Sequence, residues 1–224
     1  MILLEYSKND PIPELNRNKN KLAIFIFGAP AAGKTTFFEK FIKPRNTTVK
    51  MFNPDIINAL LTRARDERST GDKYDKRAPN LALKYLLHFM KTGKNFAYDT
   101  TGNSYERVMA ALKGAHENGY TIVAIHLMVP LKVSIERSKN RGRTVPEDFV
   151  KLVHSKSQKF MSMYGDLVDK YYIVKFIDDK REFYLYQNGK QQFISRQDDQ
   201  YKPYYEYVDG KIVAVNKNKV VQRR

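Results

Sequence analysis

Apolar residues in this chain alternate between two patterns, short uninterrupted runs and longer stretches in which they recur every three or four positions. The runs are Ala23 to Phe27, Phe96 to Tyr98 and Thr121 to Met128, joined by the shorter Val49 to Phe52, which Lys50 interrupts. Brief continuous runs of this kind read as strands covered on both faces. Between them lie helical stripes: Ile56, Leu60 and Leu61; Leu81 through Met90; and Val108, Met109, Ala111, Leu112 and Ala115 in a helix from Ser104 to Asn118 that Gly119 stops. A further helix runs from Gly33 to about Lys43, closed by Pro44, and Pro130 opens another in a first-turn position. Strands that alternate with helices predict an α/β fold of three layers, a mainly parallel five-stranded sheet with helices on both faces.

The last fifth breaks this rhythm. Arg181 to Gln187 and Lys190 to Ser195 flank Asn188-Gly189, and Tyr204 to Val208 and Lys211 to Val215 flank Asp209-Gly210. Both read as antiparallel hairpins with two-residue turns. The expected organisation is therefore a polar, loosely packed arm over residues 1–21, an α/β domain over 22–178, and a C-terminal β-hairpin extension over 179–224. The tyrosines and phenylalanines of the hairpins, Phe183, Tyr184, Tyr186, Phe193, Tyr204, Tyr205 and Tyr207, suit cross-strand pairing better than base stacking, although nearby lysines keep the second role open.

Composition narrows the function classes. A chain of 224 residues fits one such domain with a small appendage. No cysteine is present, which excludes a disulfide framework or disulfide-linked partner, a thiolate metal site and a cysteine nucleophile. The longest apolar stretch, Leu22 to Gly33, is too short to span a membrane, and charges begin soon after Met1-Ile2-Leu3-Leu4, so the expectation is a cytoplasmic protein without a leader. The net charge is +16, of which +13 lies in residues 1–164. Such an excess attracts polyanions, and nucleic acid or phosphorylated ligands are the natural candidates.

The chemistry centres on Gly28-Ala29-Pro30-Ala31-Ala32-Gly33-Lys34-Thr35-Thr36, a G-x-x-x-x-G-K-[ST] loop between a strand and a helix. Glycines at those positions let the backbone turn so that successive N–H groups, including those of Ala31, Ala32 and Thr36, converge on phosphate oxygens at a helix N-terminus. Lys34 then reaches the β- and γ-phosphates, and the Thr35 hydroxyl holds Mg²⁺. ATP or GTP is the implied ligand.

Other clusters suit an acceptor. Asp55 follows the second strand, at the end of the sheet where an α/β fold presents its ligand crevice. It is placed either to take the proton of an acceptor hydroxyl or to cap the helix ahead of Ile56. Asp99 ends the third strand ahead of Thr100, Thr101 and Gly102; its carboxylate suits Mg²⁺ or an acceptor, and the same composition suits an ordinary turn. Arg137, Lys139, Arg141 and Arg143 place four cations in seven residues, enough to fold over a nucleotide as a lid, although Arg137 and Lys139 are also ordinary partners for a helix C-terminus. His88, His116, His126 and His154 share no metal-ligand spacing and read as structural or exposed.

In order and spacing, the loop at 28–36, Asn53-Pro54-Asp55, Tyr98-Asp99-Thr100-Thr101-Gly102, Val129-Pro130 and Arg137-x-x-x-Arg141-x-Arg143 resemble the zeta-toxin-like branch of P-loop kinases, close to polynucleotide kinases. The resemblance covers about residues 22–178. It implies a P-loop kinase fold and an ATP- and Mg²⁺-dependent transfer of a phosphoryl group to a hydroxyl, with Asp55 as the activating carboxylate and Arg137, Arg141 and Arg143 as lid cations. The acceptor it favours beside this charge is nucleic acid, with a nucleotide-sugar or free nucleotide as the alternative, and an NTPase without acceptor as a third reading. One departure stands out. These groups commonly carry an arginine three residues after the catalytic aspartate, where this chain has Asn58, with Arg63 and Arg65 further along.

Overall fold

A computed structural model describes residues 11–16, 21–65, 77–140, 145–157, 164–177, 180–187, 190–198, 205–208 and 211–214. Five strands run parallel: β1 (Leu22–Gly28), β2 (Lys50–Phe52), β3 (Phe96–Thr100), β4 (Thr121–Met128) and β5 (Lys170–Ile177). Antiparallel β6 (Lys180–Gln187) and β7 (Lys190–Asp198) continue the same sheet, in the order β2-β3-β1-β4-β5-β6-β7. The first predicted hairpin is thus hydrogen-bonded to the fifth strand along its length, from Tyr171 opposite Tyr186 to Ile177 opposite Lys180. The second forms a separate two-stranded sheet, β8 (Tyr205–Val208) with β9 (Lys211–Ala214).

Helices cover both faces. They are α1 (Lys34–Phe37), which passes into one π-helical turn over Phe38–Ile42, α2 (Pro54–Arg65), α3 (Ala78–Met90), α4 (Tyr105–Glu117), α5 (Leu131–Lys139) and α6 (Glu147–Ser157). Of these, α6 has no counterpart among the sequence expectations. Every residue of β1 is buried, which explains its unbroken apolar run: alternate side chains enter two different cores. Ile24 and Ile26 pack with Phe37, Phe41, Ile125, Val174 and Phe183, whereas Ala23, Phe25 and Phe27 pack with Leu86, Met90, Tyr98, Leu112 and Ile173.

The lead-in departs from expectation over its described part. Ile12 and Leu15 are fully buried in the first core, and the Tyr172 hydroxyl donates to Glu14. Burying two such side chains contributes about 3–6 kcal/mol, so this segment is packed rather than loose. The hairpin aromatics also have cross-strand and core partners. Tyr171 meets Tyr186 edge-on, Tyr184 meets Phe193, and Phe183 stacks on Phe41.

Register sets the site. Ile26 pairs with Asp99 and Phe27 with Thr100, while Phe52 pairs with Tyr98. Asn53, the residue after β2, therefore stands level with Asp99, and both lie beside the loop that leaves β1. Because β3 and β4 flank β1 on opposite sides, the chain turns away in both directions here, where open α/β sheets leave a crevice.

Candidate active site

The loop after β1 is held by its backbone. Gly28 has φ +154°, and a Cβ there would lie 2.7 Å from the Leu127 carbonyl oxygen on neighbouring β4, so only glycine lets the two strands approach. Ala32 N–H donates to the Ala29 carbonyl, closing a turn, and the Ser134 hydroxyl of α5 donates to the Pro30 carbonyl at 2.6 Å. Gly33, at φ +85°, redirects the chain into α1, whose first bond runs from Phe37 N–H to the Gly33 carbonyl.

Lys34 bends back over this loop. Its Nζ donates to the carbonyls of Gly28 and Ala29 at 3.0 and 3.1 Å and lies 3.7 Å from Asp99 Oδ1, with both side chains about nine-tenths buried. Thr35 and Thr36 are exposed in the first turn of α1. Thr35 lines the cleft described below and Thr36 does not.

Asn53 joins two of the expected site residues. Its Oδ1 accepts the Asp55 backbone N–H at 2.7 Å, and its Nδ2 donates to Asp99 Oδ2 at 3.0 Å. The helix cap ahead of Ile56 is therefore Asn53, with Pro54 first in the helix and Asp55 in its first turn. The capping alternative for Asp55 falls away, and its carboxylate is left on the exposed lip of the cleft. Sequence reasoning passed over Asn53. The signal was present, since asparagine before proline at a strand-to-helix junction is a preferred cap.

The cleft has a volume of about 740 Å³. Ala31, Gly33, Lys34 and Thr35 form one side of it, with Asp55, Asp99, Thr100 and Thr101 also in its wall. The two threonines are engaged locally: Thr100 Oγ1 accepts from Gly102 N–H, and Thr101 Oγ1 donates to Asn103. Arg107 of α4 and Phe149 of α6 line the cleft as well, and neither stood out in the sequence. Ala32 is fully buried beneath the loop, and Asn58 does not line the cleft. Arg63 and Arg65 lie in the helical span of α2.

Of the lid residues, Arg137 lies with its guanidinium 4.6 Å from the centre of the Phe176 ring, outside the cleft wall. Lys139 pairs with Glu147 at 3.2 Å; the Glu147 carboxyl is held below the ordinary range by Lys151 first and by Lys139 second. Arg141 and Arg143 lie outside the described residues. A different cation comes closer to the loop: buried Arg181 of β6 stands near the same Phe176 ring, with Nη2 3.4 Å from where a Gly33 Cβ would be. No sequence signal marked it, because only the pairing of β6 with β5 brings the start of the hairpin to the loop.

His126 sits under the site on β4. Its Nδ1 meets the Tyr171 hydroxyl at 3.0 Å, and burial, reinforced by the charges of Lys34 and His154, pulls its pKa down to about 4. It is neutral at physiological pH. His154 bonds the Val129 carbonyl through Nε2 at 2.8 Å, and no cluster of metal-ligating side chains occurs among the described residues.

An oxygen donor set is nevertheless available for a hard cation. The Thr35 hydroxyl and the Asp99 carboxylate share one cleft with the phosphate loop, and oxygen ligands of this type suit Mg²⁺. No described helix is long and apolar enough to cross a membrane.

Comparison with known proteins agrees with this geometry. A chain from the structure of the AvrRxo1-ORF1:AvrRxo1-ORF2 complex with sulphate ions superposes with a TM-score of 0.57 at 14% identity, covering 79% of this chain and 61% of that one. A second structure of that complex contains ATP. A chain from the PezAT chromosomal toxin–antitoxin system of Streptococcus pneumoniae gives 0.54 at 15%, covering 77% and 80%, and one from the Pnkp1/Rnl/Hen1 RNA repair complex gives 0.51 at 17%, covering 66% and 47%. The present chain thus spans less than two thirds of the first and last of these, and at such identities the likeness is one of fold. No curated protein matches it. Residues 24–162, more than half of the chain, match the sequence profile described as AAA domain, and the chain accordingly belongs to that family, with a P-loop kinase-like fold.

Proposed function

We propose that this chain is a phosphotransferase that moves the γ-phosphoryl group of ATP or GTP to a hydroxyl of nucleic acid. The observation that carries the proposal is the gathering of Lys34, Asp99 and Asp55 around one cleft, with Asp55 relieved of a capping role by Asn53. A nucleotide-binding module without an acceptor has no use for a carboxylate on that lip.

In this reading the amides from Gly28 to Thr36 hold the phosphates, and Lys34 leaves the carbonyls of Gly28 and Ala29 to neutralise the β- and γ-oxygens. Asp55 accepts the proton of the acceptor hydroxyl as its oxygen bonds to the γ-phosphorus, and the bond from that phosphorus to the bridging oxygen breaks, releasing the nucleoside diphosphate. Thr35 and Asp99 are the residues that would hold Mg²⁺, which when bound supplies further neutralisation of phosphate charge. Arg141 and Arg143 act as cations of the lid in this reading, and Arg137, which lies over the Phe176 ring outside the cleft wall, would join them only by leaving that ring. The charge of +16 favours a polyanionic acceptor over a small sugar, and a neighbour of the same fold from an RNA repair complex supports that choice.

The test is transfer from γ-labelled ATP to a panel of 5′-hydroxyl DNA, 5′-hydroxyl RNA, modified-base DNA and nucleotide-sugars. Label on nucleic acid is expected, and Asp55→Asn should lower it by about 10²–10⁴ while ATP affinity is retained. Label confined to nucleotide-sugars would replace the acceptor. Free phosphate released with no labelled acceptor would replace the kinase reading by an NTPase.

A further inference from the structure

The cleft wall holds two cations among the described residues, and they stand in different circumstances. Lys34 is engaged with two carbonyls and Asp99. Arg107, half-buried in the first turn of α4, has no hydrogen bond, ion pair or ring contact among the described residues, although it lines the same cavity. A guanidinium kept half out of water without a partner is costly unless a ligand supplies one, and its planar fork of donors matches a phosphate.

The surroundings of Arg107 fit a ligand that is partly polar and partly flat. Thr100, Thr101, Asn103 and Ser104 precede it along the wall, whereas Pro79 and Phe149 present apolar surface. Phe149 is 45% exposed, in a molecule whose other phenylalanines in strands and α1 are mostly buried. An exposed ring on a cleft is a platform on which a base can stack.

We propose that Arg107 and Phe149 form the acceptor subsite, in which Arg107 binds a phosphate group attached to the acceptor nucleoside and Phe149 stacks on its base. This rests on the kinase reading for the identity of the other half of the cleft, but the subsite is defined by binding alone. A phosphate beside the reacting hydroxyl is carried both by an internal nucleotide linkage and by a nucleoside 3′-phosphate. The chemistry recognised is common to the two.

The experiment measures equilibrium binding of a 5′-hydroxyl oligothymidylate, of thymidine 3′-phosphate and of thymidine to the full chain and to Arg107→Gln, Arg107→Lys, Phe149→Ala and Phe149→Tyr, across a salt series, with ATP binding measured in parallel. Arg107→Gln is expected to weaken both phosphorylated ligands tenfold or more, with ATP affinity within twofold, and to reduce the logarithmic salt slope for the oligonucleotide by about 0.7. Arg107→Lys should recover part of the loss, since charge is kept and the fork is not. Phe149→Ala should weaken all three ligands by about tenfold and Phe149→Tyr by much less. If thymidine 3′-phosphate binds as tightly to Arg107→Gln as to the wild type, the subsite is overturned. The same holds if the variant loses ATP and acceptor affinity together, which would put Arg107 on the donor side. Arg107-dependent binding without any transfer of label would uphold the subsite and sink the kinase reading, so the two failures are distinguishable.

Discussion

The two halves of the cleft are built from different material. The half proposed to hold the donor is one continuous segment, residues 28–36, shaped by backbone geometry: Gly28 against the Leu127 carbonyl, Gly33 at positive φ, and a lysine folded over the loop's own carbonyls. The half proposed to take the acceptor is assembled from side chains on separate helices, Asp55 on α2, Arg107 on α4 and Phe149 on α6. A loop that must present N–H groups to phosphate leaves few choices of residue. A pocket lined by side chains can be rebuilt by changing any one of them.

The largest effect should come from the donor half. Lys34→Met removes the only cation that the described structure places both on the loop and beside Asp99, and phosphoryl transfer should fall by about 10²–10³ in a labelled-ATP assay. The contrast with Arg107 is the informative part: the Lys34 variant should keep its affinity for the oligonucleotide, and the Arg107 variant its affinity for ATP. Equal losses of both ligands in either variant would show that the halves are not separate.

Legibility in the sequence follows the same division. Asp99 and the loop at 28–36 could be singled out as candidates because their surroundings are contiguous in the chain. Four of the five parallel strands were readable as well, since burial on both faces writes an unbroken apolar run such as Leu22 to Phe27, whereas Lys170–Ile177, broken by Lys175, was not located. Arg181 was not readable, because its position beside Gly33 depends on β6 pairing with β5, a tertiary event that no local pattern encodes. The hairpin was visible, but its attachment to the sheet was not. Likewise α6 follows the basic sequence Arg141-Gly142-Arg143 and Pro146 with only a modest apolar stripe, and Phe149 at its start looks like any other helix residue until the cleft forms around it.

Asn53 spans the division, and it offers a second and smaller test. Its two amide atoms serve different halves, Oδ1 fixing the first turn that carries Asp55 and Nδ2 holding Asp99. Asn53→Ala should cost about 1 kcal/mol of stability from the lost cap, read as a lowered Tm. Asn53→Ser keeps a capping oxygen but has no donor that reaches Asp99 in the same way. Its Tm should therefore recover while transfer remains depressed. Recovery of both would mean that the bond to Asp99 is structural only.

The smallest effect concerns what lies under the donor loop. His126 is bonded to Tyr171, and burial with the nearby charge of Lys34 pulls its pKa to about 4 from an ordinary 6.5. The unfolded chain therefore binds a proton at this site between about pH 6.5 and 4 that the folded chain refuses. Stability from this group is fully present above pH 6.5 and drains away as pH falls toward 4, with a slope of up to one proton. Titration of the His126 ring by NMR should show a midpoint near 4, and Lys34→Met should raise it slightly, since Lys34 is the second cause after burial. A midpoint near 6.5 would mean that water reaches the strand beneath the loop. The donor half would then be as open as the acceptor half, and its rigidity could no longer explain why its residues are so narrowly chosen.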